Sequence, residues 1–158
     1  MAANPYASFV ASLDVMEQLR AMPVRLENFL QKIAPEGLGV SPAPGKWSPR
    51  DILCHLADTE IVFAFRLRQT LAQDNYVIQP FDQDKWAATY DRYDARTALA
   101  TFSALRQWNL SFIAGLRPDD FTRSVNHPER GDMTLRTIVE TMAGHDLNHL
   151  RKIETLVA

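Results

Sequence analysis

One cysteine in 158 residues, Cys54, excludes an internal disulfide and points to a reducing compartment. No stretch approaches eighteen uninterrupted apolar residues, so the chain offers no candidate for a membrane-spanning helix. The first residues, Met1-Ala2-Ala3-Asn4-Pro5, lack the basic region and apolar run of a secretory signal, and a soluble, cytoplasmic protein is expected. An excess of charge is missing too: 17 basic and 19 acidic residues are interleaved, for a net charge of −2. Such a surface presents no basic patch to a nucleic-acid backbone or an anionic membrane, and neither is expected as a partner. Internal repeats, low-complexity segments and a convincing strand pattern are absent as well.

What is present reads as helix. The length suits one domain, residues 1–158, able to bury about two-thirds of its unfolded surface. Asn4-Pro5 can open a short helix through Tyr6, Phe9 and Val10. Asp14 can cap a longer one with apolar positions at Leu19, Met22, Leu26, Phe29, Leu30 and Ile33. Pro23 either kinks that helix or starts a new one, because proline lacks the N–H an interior turn needs but suits a first turn. The Gly- and Pro-rich run from Pro35 to Trp47 is a connecting loop.

The second long helix has a well-marked start. Ser48 is the N-cap, Pro49 takes the first helical position and Asp51 sits three residues after the cap, where an acid suits the helix dipole. The helix runs through Leu67 to about Ala72 and ends at Asp74-Asn75. Residues 74–93 form a crossover with a helical turn near Asp82 to Ala88, long enough for the next helix to lie parallel to the last. A third long helix begins near Asp94, with a core stripe of Leu99, Phe102, Leu105, Asn109, Phe112 and Leu116. Arg117-Pro118 ends it, and Val125 to Met133 is a turn-rich loop in which His127 is expected to be solvated. Thr134 caps a final helix. The expected fold is an all-α four-helix bundle with a long crossover connection.

Three of the four histidines fall on core-facing stripes. His145 and His149 are four residues apart, so they project from one helical face about one turn apart. His55 shares a stripe with Ile52, Leu56, Thr59 and Phe63. A single histidine on an apolar face is ordinarily a core side chain with satisfied nitrogens. Burying three costs hydrogen-bonding energy unless something satisfies them, and one shared metal ion does. Three protein ligands leave a coordination position open, the pattern of catalytic rather than structural zinc sites. Zinc or nickel suits neutral imidazole, and iron or copper is not excluded. A water or a thiol in the open position would be activated, so hydrolysis and thiol transfer both stay open.

Asp58, one turn after His55, and Asp146, three before His149, are placed to hold the ligands' second nitrogens, although either can equally be a solvated carboxylate. Cys54 lies about 100° around the helix from His55 and reads as packing rather than as a fourth ligand. Glu60 points away from His55. Trp47, Asn109 and Arg66 are candidates for substrate contact by their helical faces; for Asn109 the competing reading is an interior amide satisfied locally. No residue stands out as a general base. A zinc-peptidase reading of His145 to His149 has Asp in place of the catalytic Glu, and a di-iron reading fails because Ile52 stands three before His55.

The run Pro44-Gly45-Lys46-Trp47-Ser48-Pro49-Arg50-Asp51-Ile52-Leu53-Cys54-His55-Leu56-Ala57-Asp58-Thr59-Glu60, with His145-Asp146-Leu147-Asn148-His149, closely resembles the DinB-like (DinB/YfiT-like) metalloenzymes. The likeness extends to the Leu19 to Pro23 step and the His127-Pro128 to Thr134 loop. The resemblance implies a four-helix bundle of unusual connectivity, a divalent metal on His55, His145 and His149, and a homodimer. It also implies an S-transferase or isomerase that uses a low-molecular-weight thiol and an electrophile. The alternatives are a hydrolase acting through metal-bound hydroxide and a non-catalytic bundle that binds a metal or small ligand.

Overall fold

The structure, a computed structural model, describes residues 4–155. Its helices are α1 (Ala7–Val10), α2 (Val15–Leu30), α3 (Pro49–Ala72), α4 (Gln83–Ala87), α5 (Ala95–Ala114) and α6 (Leu135–Glu154). The four long ones, α2, α3, α5 and α6, pack into a bundle, as expected. Each begins at a side-chain cap: Asp14, Ser48, Asp94 and Thr134 accept from the backbone N–H three residues on, and so occupy donors that have no partner inside a helix. For α3 the cap is reciprocal, because Asp51 also accepts from the Ser48 N–H at 3.0 Å.

Pro23 does not divide α2, which runs through it. Proline there deprives the Leu19 carbonyl of its helical donor, and the Arg106 guanidinium from α5 donates to that oxygen at 3.2 Å. The break in one helix thus becomes an attachment point for another. The core stripe of α5 is turned by about one position from the expected one: Ala95, Ala98, Leu99, Phe102, Arg106, Asn109 and Ile113 are buried, whereas Leu105, Phe112 and Leu116 are not fully so. Arg106 holds the place expected of Leu105, because an internal ion-pair network receives it.

The crossover between α3 and α5 is pinned by buried Tyr76, Ile78 and Tyr90, with α4 near its middle. The Val125 to Met133 segment is not a loop. It forms a hairpin of β1 (Ser124–His127) and β2 (Gly131–Thr134), and the crossover bridges it through Ile78 N–H to Asn126 O at 2.8 Å and Asn126 N–H to Tyr76 O at 3.0 Å. Its turn carries Pro128 after His127 and Gly131 at φ +79°, the left-handed conformation in which a three-residue hairpin loop closes. No helix among the described residues is long and apolar enough to cross a membrane.

Candidate metal centre

His55 stands two turns inside the capped start of α3, and His145 and His149 lie on one face of α6. All three are buried, at 2, 6 and 4 % exposure. The structure brings them together: the Nε2 atoms of His55 and His145 are 3.0 Å apart, and one ring nitrogen from each of the three lies within 4.8 Å of the others. Two nitrogens bound tetrahedrally to one zinc at ~2.1 Å stand ~3.4 Å apart, so the spacing is that of a shared ion. Cys54, buried about 100° around the helix from His55, is not among the converging donors, and burial pushes its thiol up to about 12.

His55 and His149 are held neutral. Burial first, and then the neighbouring His145, push His55 down to about 3; the same causes lower His149. Neutral imidazoles offer lone pairs, which ligation requires. The Nδ1 atoms of His55, His145 and His149 are buried without a hydrogen-bond partner, and His145 Nδ1 is 3.8 Å from Asp146 Oδ1. A direct N–H···N bond between the Nε2 atoms of His55 and His145 would satisfy none of these Nδ1 atoms and would leave His149 aside. The donor set therefore fits a divalent metal ion better than a self-contained polar cluster. Aromatic rings enclose it: Trp47 packs on His55 at 4.7 Å between centroids and stacks on His149 at 6.2 Å, while Tyr6 and Phe63 meet His145 edge-on at 5.5 and 6.1 Å.

A second buried assembly supports the first. Arg106 meets the Glu60 carboxylate through Nε at 3.0 Å and Nη2 at 2.7 Å, and pairs with Asp146 through Nη1 at 2.7 Å. Asn109 donates to Glu60 at 2.9 Å and accepts from Arg68 at 2.8 Å, so its amide serves the network rather than a ligand pocket. Burial opposes ionisation of Asp146, but the Arg106 charge outweighs it and holds the carboxyl below its ordinary value. Two carboxylates against one guanidinium leave a net charge of −1 next to the histidines, which favours a cation there. Asp146 is locked in this network one residue from His145. Asp58 instead accepts from the Tyr90 hydroxyl at 2.9 Å, tying α3 to the crossover, and the structure does not bring it to a histidine nitrogen.

Sequence reasoning missed Arg106 and the partner role of Glu60. The signal was Asn109 on an otherwise apolar stripe, which called for a polar partner one turn away. His127 was also misplaced: it is buried, its Nδ1 accepts from Glu129 N–H at 3.2 Å, and burial lowers its pKa. The hairpin and the crossover strand cover a residue that a loop would have left in water.

A cavity of about 90 Å³ reaches His55 and His145 and is also lined by Tyr6, Thr59, Phe63 and Arg66. A larger cleft of about 560 Å³ runs along Trp47, Ile52 and Lys152 without touching a histidine, and the smaller space is the one adjoining the chemistry. Tyr6 comes this close because residue 144 is glycine: a Cβ there would lie 2.6 Å from Tyr6 Cβ and 2.7 Å from its carbonyl oxygen. Gly144→Ala should displace the segment around Tyr6 and cost about 1–3 kcal/mol, read as a lower melting temperature; an unchanged melting temperature would show that the segment yields freely.

A model of the DinB superfamily matches residues 18–153. The chain belongs to the DinB superfamily. Relatives of this DinB-superfamily protein include an Oceanobacillus iheyensis protein named "Putative metal-dependent hydrolase", 30 % identical over 142 residues, which are 89 % of this chain and 83 % of the relative. A Bacillus mycoides protein of the same name is 22 % identical over 142 residues, 89 % and 82 % of the two chains. Among solved structures, YfiT from Bacillus subtilis superposes with a TM-score of 0.83 at 22 % identity, covering 90 % of this chain and 83 % of its own. It is described as "a probable metal-dependent hydrolase with an unusual four-helix bundle topology". The mycothiol-dependent maleylpyruvate isomerase superposes with a TM-score of 0.69 at 12 % identity, covering 90 % and 62 %. These superpositions establish the fold that the DinB-superfamily chain shares with them.

Proposed function

We propose that His55, His145 and His149 hold one divalent transition metal, zinc or nickel in the first instance, and that the protein is a metal-dependent transferase acting on a low-molecular-weight thiol. The observation that carries this reading is a three-histidine donor set, of which His55 and His145 face a cavity that no carboxylate lines. A divalent ion there supplies a Lewis acid that makes a bound thiol nucleophilic near neutral pH. The rest is done by the chain. Neutral His55 and His149 keep their lone pairs available. Trp47, Tyr6 and Phe63 keep the surroundings apolar, which strengthens every charge interaction inside. Glu60 and Asp146 are engaged by Arg106 and do not serve as bases. A thiol would suit such a site, because an ion held by His55, His145 and His149 would lower its pKa enough for its proton to pass to water without a protein base.

The second reading is hydrolysis, and the names of the Oceanobacillus and Bacillus relatives favour it. The two separate in one assay. Metal-loaded protein is offered an alkylating electrophile with and without a small thiol, and an ester panel without thiol. Electrophile consumption that requires both thiol and metal supports transfer; metal-dependent ester cleavage without thiol supports hydrolysis. Neither activity with metal still bound would leave a metal-binding bundle.

The metal-free protein should show its own pH signature. His55 has a lower pKa folded than unfolded, so the unfolded chain binds protons more readily and stability falls with pH. In chelator, urea denaturation should show stability declining from about pH 6.5 toward 4.5, above the range in which carboxylates titrate. A flat profile over that window would mean that His55 is not buried as a neutral ring.

A further inference from the structure

The cavity that reaches His55 and His145 continues along α3 to Arg66 and across to Arg130, the last residue in the turn of the β1–β2 hairpin. A recess of about 10 Å³ extends it past His127 and Thr141. No aspartate or glutamate lines either space. Among the described residues neither arginine forms an ion pair, in contrast to Arg106, which meets two carboxylates. Arg66 donates only through Nη2 to the Gln79 carbonyl at 3.4 Å, and its Nε is buried with no partner.

A half-buried guanidinium whose Nε has lost water without gaining a partner or a counter-ion is costly, and a second cation facing the same space makes it more so. Burial draws the Arg66 guanidinium below its ordinary value, and the Arg130 charge acts in the same direction. Both costs fall when an oxyanion enters, and the planar guanidinium fork matches a carboxylate, with two parallel N–H donors to its two oxygens. Position along the helix sets the rest of the ligand. Arg66 follows His55 by eleven residues, three turns and about 16 Å along the axis, so the two side chains share a face and line the same cavity several bonds apart.

We propose that Arg66 and Arg130 bind the carboxylate of a substrate whose reacting atom is held at the three histidines, several bonds away. This rests on the histidines being the reaction centre. Binding energy from so remote a group orients the substrate without entering the chemistry.

The test compares 6-mercaptohexanoate with 6-mercaptohexan-1-ol, which share a thiol and a chain and differ only in the distant anion. Both are titrated calorimetrically into zinc-loaded and metal-free protein. The carboxylate should bind at least about tenfold more tightly than the alcohol in wild type, the range of hydrogen bonds to a charged group. That preference should vanish in Arg66→Gln. Arg130→Gln, half-buried in the hairpin turn, provides a second variant should Arg66→Gln fold poorly, and the preference should shrink there as well. Equal binding of the two thiols by wild type, or a preference that survives in both variants, overturns the arginine site. Zinc content of the same samples tests the histidines separately: selectivity without bound zinc keeps the arginine site and removes the metal centre, and zinc without selectivity does the reverse.

Discussion

Arg106→Met should cost the fold about 3–5 kcal/mol, the penalty for removing one partner from a buried ion pair. Arg106 is 1 % exposed and is held between Glu60, Asp146 and the Leu19 carbonyl, so truncation strands two buried carboxylates and one buried acceptor at once. Methionine fills much of the volume, which separates the electrostatic loss from a cavity effect. At about 2–4 °C per kcal/mol for a chain of this size, the melting temperature should fall by roughly 10 °C. The loss should also depend on pH. In wild type the Asp146 carboxyl lies below its ordinary value, so its contribution is present above the unfolded pKa and is lost as pH falls through the folded one. In the variant burial would act on the stranded Asp146 carboxyl unopposed by Arg106, raising it instead, and protonation would relieve it. The gap between the proteins should therefore be widest near neutrality and narrow below about pH 4. A melting temperature within about 2 °C of wild type at pH 7 would show that the network is not the junction of α2, α3, α5 and α6 inferred here.

The second large effect concerns His149→Ala. Changes to outer partners of a metal ligand commonly cost 10–100-fold in affinity, and loss of one of three ligands should exceed that. Zinc affinity in a competition assay should drop by more than about a hundredfold, with the helical circular-dichroism spectrum retained, because α6 is anchored elsewhere by Leu135, Met142, Leu150 and Ile153. The structural consequence runs the other way from that of Arg106→Met. Without a metal, removal of a buried imidazole with an unpartnered Nδ1 should be nearly neutral or mildly stabilising in chelator.

The features legible in the sequence were local ones. Ser48-Pro49-Arg50-Asp51 specifies a helix start through contacts within four residues, and the i, i+4 spacing of His145 and His149 sets a common face irrespective of the rest of the chain. The hairpin was not legible in the same way, since strands of four residues show too little alternation to be recognised; only the proline after His127 and the glycine at Gly131 marked its turn. Arg106 was least accessible. Its burial follows from Glu60 on α3, Asp146 on α6 and a carbonyl freed by Pro23 on α2, and no window of sequence contains those three facts. Asp58 looked like a partner of His55 by helical spacing, yet Tyr90 of the crossover claims it, a contact that only the packed structure supplies.

The most direct test of the three-histidine centre is elemental analysis of protein purified without a histidine tag, side by side with His55→Ala and His149→Ala. About one equivalent of a divalent transition metal in the wild type, lost from both variants, is the expected result. Metal-free wild type that binds none on titration, or variants that keep wild-type stoichiometry and affinity, would contradict it and return the histidines to the core.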